Sequence, residues 1–217
     1  MTRTSLIVTV LATVLAIPAA AQWSGMPIWN NPKGGTGVTI DGDAGFPNSD
    51  LGSGTAYGAR ATLGLTNLSL TAGVSSWKPD GAGSSTTTWA GVAGFRVIGG
   101  SLMPVALNIQ AGAGTGSEIT GTGALPKVTN MFLGAGVSIS VPTPGISIEP
   151  YVSVSERWHS PSGGSTESNF GWVVGANVGF GMFGVHLAYD SEKLDGGSTA
   201  GVWGIGAHFS LSAPGGI

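Results

Sequence analysis

Two small groups of acidic residues and histidines are the part of this 217-residue sequence that could perform acid–base chemistry. Asp41 and Asp43 lie near the start of the chain, and His186 and Asp190 lie near its end. A histidine held by a carboxylate can remove a proton from a substrate. His186 falls near the middle of a predicted strand, where charged groups that face a protein interior are usually paired with one another. We therefore expect structural pairing here rather than catalysis.

A second group combines His159, Ser160 and Glu167 in one predicted loop. A serine, a histidine and an acid form a nucleophilic triad when the histidine lies within hydrogen-bond distance of the serine and the acid orients the histidine. Adjacent residues in a loop rich in Gly, Ser and Pro rarely hold that geometry. We predict no catalytic residue in the chain.

The sequence offers few ligands for a metal. Asp41 and Asp43 stand in a stretch similar to the opening of a calcium loop, and on a strand both would point the same way, but the later ligands and the closing glutamate are missing. The three histidines are far apart in sequence and cysteine is absent, so no zinc site is predicted. We expect neither a bound metal nor a cofactor.

The composition argues against several classes of protein. Charged residues make up only 9% of the chain, against roughly 25% in a typical soluble domain. The eight Lys and Arg residues are scattered, whereas a nucleic-acid-binding protein needs them clustered, so we expect no nucleic-acid partner. Because the chain has no cysteine, it forms no disulfide and carries no lipid-attachment cysteine.

Residues 1–21 have the three parts of a secretory signal peptide. Arg3 lies in a short polar start, an apolar run follows over 6–17, and small residues at 19–21 match a signal-peptidase site. The apolar run is shorter than the about 20 residues that a membrane-spanning helix needs. We predict export through the inner membrane and cleavage before Gln22.

The rest of the chain alternates large apolar residues with small or polar ones. Phe170, Trp172 and Val174, for example, alternate with Gly171 and Val173. A period of two residues is typical of strands whose faces meet different environments. It predicts about ten strands, with eight as the alternative, most of them long enough to cross a membrane at a tilt. The predicted strands run near 36–46, 54–65, 67–77, 86–98, 101–113, 128–141, 146–158, 168–180, 183–192 and 200–211.

Short turns and long polar loops alternate between these strands, which is the plan of an outer-membrane barrel. Glycine or a polar residue interrupts every later apolar run before about 18 residues, so a membrane-spanning form would be a closed barrel. We predict an all-β, antiparallel up-and-down transmembrane β-barrel over 36–211. A periplasmic segment over 22–35 would precede it, and a tail over 212–217 would follow it.

The apolar face of the strands carries aromatic residues near both ends. Trp and Tyr prefer a membrane interface because they combine an apolar body with a polar tip. The aromatic residues expected at the interface are Tyr57, Trp89, Trp158, Trp172, Tyr189, Trp203, Phe180 and Phe209. Trp77 departs from this pattern because it lies on the polar face, which predicts a bulge in its strand or an earlier end of that strand.

The polar face of the strands would line the lumen. The charged and polar residues expected there are Asp41, Asp43, Arg60, Arg96, Glu149, Arg157, His186, Asp190 and His208. An unpaired buried charge is costly. We therefore expect arginines and carboxylates to pair across the lumen.

With these features the chain resembles the broad family of small bacterial outer-membrane β-barrel proteins. The resemblance rests on the signal peptide, the alternating strands, the aromatic residues at both strand ends and the last strand. Phe209 looks like the final aromatic residue that the barrel-assembly machinery reads in this family, although the chain continues to Ile217. The resemblance implies a bacterial outer-membrane location, with membrane lipid and the assembly machinery as partners.

Two functions are compatible with such a barrel: a narrow pore for passive passage of small solutes, or a structural wall protein of the membrane. The first alternative is a surface-binding barrel that acts through its long loops. The second is an outer-membrane hydrolase.

Overall fold

A computed structural model describes residues 23–100, 103–194 and 196–212 of the chain. The predicted signal peptide lies outside the described residues, as does the tail beyond Ser212. Within the described part, eleven strands and one short 3-10 helix follow one another. They are β1 (Gly37–Pro47), the helix η1 (Ser49–Leu51), β2 (Thr55–Leu65), β3 (Leu68–Lys78), β4 (Thr86–Gly100), β5 (Met103–Gly116), β6 (Val128–Ile139), β7 (Val141–Thr143), β8 (Ile146–Pro161), β9 (Glu167–Phe180), β10 (Phe183–Lys193) and β11 (Thr199–Ser212).

The strands form one closed antiparallel sheet. Each long strand pairs with its neighbours, β6 pairs with β8, and β1 pairs with β11 to close the wall. The three-residue β7 pairs only with β8 and extends the hairpin between β6 and β8 toward its turn. The wall therefore has ten long strands, which confirms the predicted closed barrel and its strand count.

The two faces of the wall differ as the period of two predicts. Ile40, Leu133 and Leu187 point outward and about half of each side chain is exposed. Their neighbours along the strands point inward and are mostly small or polar. A large apolar surface that faces outward all round a barrel is suited to lipid rather than to water. No helix in the described residues is both long and apolar enough to span a membrane.

The two ends of the barrel are built differently. One end, which we name the short-turn end, carries tight connections such as the two-residue turn at Gly181, where φ is 66° and a side chain would be strained. The opposite, long-loop end carries the longer connections. Two of these, 79–85 and 117–127, are hydrogen-bonded to each other through Gly83 and Thr122.

Trp77 corrects the expectation of a bulge. Its strand pairs regularly from Leu68 to Lys78, and Trp77 lies opposite Ala56 and Thr86 without a shift of register. The indole is buried inside the barrel, and its Nε1 donates a hydrogen bond to the carbonyl oxygen of Ser53 at 3.0 Å. The residue therefore belongs to the interior. There it contacts a segment in which the periodicity predicted no strand.

That segment is 23–36, and its position corrects the predicted periplasmic location of 22–35. The segment starts in the lumen near the long-loop end, where Trp23 packs, and runs down to the short-turn end, where β1 begins. Trp23, Met26, Ile28 and Trp29 are almost completely buried. The physical reason is that the lumen shelters these large apolar side chains from water, whereas the periplasm would expose them to it.

Candidate functional site: a filled lumen and two buried charged clusters

The segment 23–36, which we name the plug, packs against opposite walls of the barrel. Trp23 and Met26 contact Ala56 and Trp77 on β2 and β3. Further along the plug, an aliphatic and an aromatic residue pack against four inward-facing residues of β6, β8, β9 and β10. The residues of this second cluster are Ile28, Trp29, Phe132, Tyr151, Val173 and Ala188. The plug therefore bridges the lumen from side to side.

Polar contacts fix the height of the plug in the barrel. Asn30 and Asn108 exchange two side-chain hydrogen bonds, at 2.7 and 3.2 Å. The backbone N–H of Ile28 donates to Asp190 Oδ2 at 2.8 Å. Near the short-turn end, Arg96 Nη1 donates to the carbonyl oxygen of Lys33 at 2.6 Å. The last two bonds satisfy backbone groups of the plug that would otherwise lack a partner.

Glycines on the inner face leave the space that the plug occupies. A β-carbon at Gly204 would collide with Pro27 and Trp29, and one at Gly136 would collide with the side chain of Asn30. The small inner face could have indicated an open lumen. In the structure the plug uses that space.

The first charged cluster, which we name the mid-barrel cluster, consists of Asp41, Asp43, Arg60, His186 and His208. Arg60 Nε lies 2.6 Å from Asp43 Oδ2, and Arg60 Nη2 lies 3.2 Å from Asp41 Oδ1. His186 Nε2 lies 2.6 Å from Asp43 Oδ1, and His186 Nδ1 lies 3.4 Å from His208 Nδ1. The carboxylates thus bind an arginine and a histidine together.

The long-loop cluster consists of Arg157, His159, Asp190 and Glu192. Arg157 Nη1 lies 2.8 Å from Asp190 Oδ1 and 3.0 Å from Glu192 Oε2. His159 Nε2 lies 2.7 Å from Glu192 Oε1, while its Nδ1 lies 2.9 Å from Asn130 Oδ1. All of these side chains are buried. Arginines and carboxylates therefore pair as expected, but along the wall and not across the lumen: Arg60 meets the adjacent β1, and Arg157 reaches over β9 to β10.

The remaining predicted lumen residues lie near the short-turn end. Glu149 is buried and accepts a hydrogen bond from Ser138 Oγ at 2.6 Å. Arg96 is half-buried, and it also donates to Asn67 Oδ1 at 2.7 Å. Neither residue belongs to the two clusters.

The predicted interfacial aromatic residues all stand on the outward face. Tyr57 and Trp89 are about two-thirds exposed. Tyr189 joins its neighbours in a patch, with ring centroids 4.8 Å from Trp203 and 5.7 Å from Trp172. Trp158 is half-buried on the same face of the wall, and Phe180 and Phe209 lie near the short-turn end. Their position in a membrane interface stays a prediction.

The Ser-His-acid arrangement is not assembled. His159 belongs to β8, which extends three residues beyond the predicted strand end, and its ring faces inward. Ser160 is the next residue along the strand and therefore points to the other face, where its Oγ lies 2.8 Å from Thr166 Oγ1. The ring of His159 contacts Glu192 and Asn130 instead of Ser160.

Several residues of the interior were missing from the sequence interpretation, and four of them show why. Glu192 lies on the same face of its predicted strand as His186 and Asp190, so the alternation of faces was enough to predict that it points into the lumen. His159 was assigned to a loop because its strand was ended too early. Trp23 and Trp29 belong to a stretch without periodicity, which gave no signal for a position in the lumen.

The histidines also differ from the expectation. His186 and His208 are far apart in sequence but lie on neighbouring strands, β10 and β11, and both face the lumen. Together with Asp41 they offer three ligand atoms that lie within 4.8 Å of one another. Their distance along the sequence therefore gave no sign of their closeness in space.

A cavity of about 370 Å³ lies between the plug and the wall in the short-turn half of the barrel. Asp41, His186 and His208 line its deep end. Gly64, Gly179 and Ser210, close to the ends of their strands, line its mouth. The mid-barrel cluster thus borders a cavity, and that cavity does not reach the charged residues of the long-loop cluster.

Comparisons with known proteins rest on structure alone, since no family model and no curated protein sequence matches the chain. The β-domain of the Bordetella autotransporter Brka superposes with a TM-score of 0.53 at 11% identity, over 81% of this chain and 99% of that one. A bacterial polysaccharide outer membrane secretin superposes with a TM-score of 0.50 at 9% identity, over 73% of this chain and 57% of that one. The chain has the fold of an outer-membrane β-barrel.

The outer membrane enzyme PagL is also similar, with a TM-score of 0.44 at 10% identity over 80% of this chain and 99% of that chain. A likeness at this TM-score says nothing about the activity of this chain. The role of this barrel has to be argued from its own lumen.

Proposed function

We propose that the protein is a structural wall protein of the bacterial outer membrane whose lumen is closed by its own plug. The outward face supports a membrane location, because its large apolar side chains would otherwise be exposed to water. The observation that carries the proposal is the plug itself. Trp23, Met26, Ile28 and Trp29 fill the space between opposite walls and are at most 7% exposed.

The long-loop cluster supports the same role. Its charged side chains occupy the lumen beside the plug, and Asp190 links the two because it binds both Arg157 and the backbone N–H of Ile28. Small barrels are often filled by their own side chains. Here the filling comes from the wall and from the plug together.

A pore that opens when the plug leaves is the second candidate. The cavity of about 370 Å³ favours it, because this space already reaches the short-turn end beside the plug. A hydrolase has less support, since Trp29 covers His186 with a ring-centroid distance of 4.6 Å. In addition, Ser160 and the neighbouring His159 point to opposite faces of β8.

Conductance of residues 22–217 in a planar lipid bilayer tests both candidates. A wall protein stays silent at every voltage, whereas the second candidate is silent at low voltage and shows discrete steps at high voltage. Steady conductance at low voltage would overturn both, because it would show an open lumen. Co-flotation with lipid vesicles confirms that a silent protein has inserted.

A glycine pair sharpens this test. Gly204→Val places a side chain where Pro27 and Trp29 lie, so we expect it to displace the plug and produce conductance. Gly42→Val is the matched control, because Gly42 is on the adjacent strand and nothing lies within 4 Å of its added β-carbon. A folded, inserted Gly204→Val protein that stays silent would show that the plug does not close the lumen.

A further inference from the structure

We propose that Asp41, His186 and His208 form a binding site for one divalent transition-metal ion of the zinc class. The three residues come from β1, β10 and β11, so the closure of the barrel brings them together. Imidazole nitrogens and a carboxylate oxygen are ligands that zinc accepts, and three protein ligands leave a fourth position open. The inference goes beyond the proposed function and does not depend on a silent lumen.

The spacing of the nitrogen atoms supports the site. The two Nδ1 atoms are 3.4 Å apart. Two nitrogens bound to one tetrahedral zinc at about 2.0–2.1 Å would be about 3.3 Å apart. Asp41 Oδ1 lies 4.0 Å from His186 Nδ1, so a small rotation of its carboxylate brings the third ligand into range. The ring planes are within 15° of each other. Because Asp43 holds the ring of His186, it is the ring of His208 that must turn about its Cβ–Cγ bond to direct its Nδ1 at a shared ion.

Asp43 prepares His186 for this role. Its Oδ1 lies 2.6 Å from His186 Nε2, and because an ionised carboxylate only accepts, Nε2 carries the proton. In a neutral ring Nδ1 is then unprotonated and points toward His208. A carboxylate that holds the second nitrogen of a ligating histidine is a common outer-shell partner in metal sites.

Arg60 is the cation that a metal must displace. Its Nη2 lies 3.2 Å from Asp41 Oδ1, but its Nε also bonds to Asp43 at 2.6 Å. Arg60 therefore keeps one carboxylate when Asp41 turns toward the histidines. With neutral histidines the cluster has two carboxylates and one arginine, so it carries an excess negative charge that attracts a cation.

The ion has a path to the site. The cavity reaches Asp41, His186 and His208 from the short-turn end and is wide enough for water to fill the fourth position. On the opposite side, the Trp29 ring packs edge-on against His186. The site is thus open on one side and closed by the plug on the other.

The test uses an untagged chain of residues 22–217, refolded in detergent and dialysed against a chelator. Titration with Co²⁺ is expected to give visible absorption bands of tetrahedral coordination, which one equivalent of Zn²⁺ removes. His208→Asn should weaken binding by more than the about 10- to 100-fold that loss of an outer-shell partner costs. Asp43→Asn should weaken it within that range.

His159→Asn is the matched control, because His159 is a buried histidine of the long-loop cluster and lies outside the cavity. It should bind Co²⁺ as the unchanged chain does. Circular dichroism shows whether each variant is folded, and a spectrum with stoichiometric uptake by the unchanged chain supports the site even if one variant fails to fold. The proposal is overturned if the unchanged chain takes up no Co²⁺ or Zn²⁺, or if folded His208→Asn protein binds as tightly as the unchanged chain.

Discussion

The two charged clusters of this barrel are built on the same plan but have different surroundings. In each, a glycine of the middle strand lets side chains of the flanking strands meet. Gly171 lies beside the guanidinium of Arg157, which reaches across β9 to Glu192. Gly206 lies between His186 and Asp43.

The surroundings decide what each cluster can do. The long-loop cluster is sealed, since Arg157 and Glu192 are at most 2% exposed. The mid-barrel cluster borders a cavity, and the side chain of Arg60 is 11% exposed. The same residue types therefore brace the wall at one height and remain accessible to a small ligand at another.

The largest expected effect is a difference in stability between variants of the two arginines, Arg157 and Arg60. Arg157→Met leaves Asp190 and Glu192 buried without their cation, which should lower the free energy of unfolding by about 3–5 kcal/mol. Arg60→Met should cost only about 1–3 kcal/mol, because water in the cavity can solvate Asp41 and His186 still donates to Asp43. Urea unfolding in detergent, followed by tryptophan fluorescence, measures both losses. Equal losses would show that water in the cavity does not compensate the mid-barrel cluster for the loss of its arginine.

The histidines give the second comparison. His159→Phe removes one hydrogen-bond partner from Glu192 and one from Asn130, and we expect a loss of about 1.5–3 kcal/mol. His208→Phe removes only the long contact with His186, so the expected loss is below about 1 kcal/mol in metal-free buffer. The same unfolding experiment applies. If the His208 variant loses more stability than the His159 variant, the mid-barrel cluster is the more tightly packed of the two, contrary to our inference.

The glycines give the smallest difference. Gly171→Ala pushes a methyl group into the Arg157 guanidinium, where no space is free, and should cost about 1–3 kcal/mol. Gly206→Ala meets His186 and Asp43, which can shift toward the cavity, so we expect a loss at the lower end of that range. Thermal unfolding of the two variants side by side tests the order. If Gly206→Ala is the less stable protein, the rings of the mid-barrel cluster are held more rigidly than we infer.

The wall of the barrel could be predicted from the sequence. A period of two determines which side chains share a face, and turn residues determine where strands end, so the alternation and the turns together are enough to place ten strands. Ile40 and Leu187 followed this rule, as did Asp41 and His186.

The contents of the lumen could not be predicted in the same way. The plug has no repeating pattern, and its burial depends on contacts with residues such as Phe132 and Val173, more than 100 positions away. The approach of His186 to His208 depends on the register between β10 and β11, which the alternation of faces alone does not determine. Long-range pairing was therefore the missing information, and local patterning was not.

The plug is joined to the wall by its covalent connection to β1 at the short-turn end and, in the part of the chain that the structure describes, by no strand pairing. Its removal would break contacts such as the Asn30–Asn108 bonds but would leave every ladder of the wall intact, including the β1–β11 seam. This barrel can in principle exist filled or empty with the same sheet, so the free energy of filling and the free energy of the wall are two separable quantities.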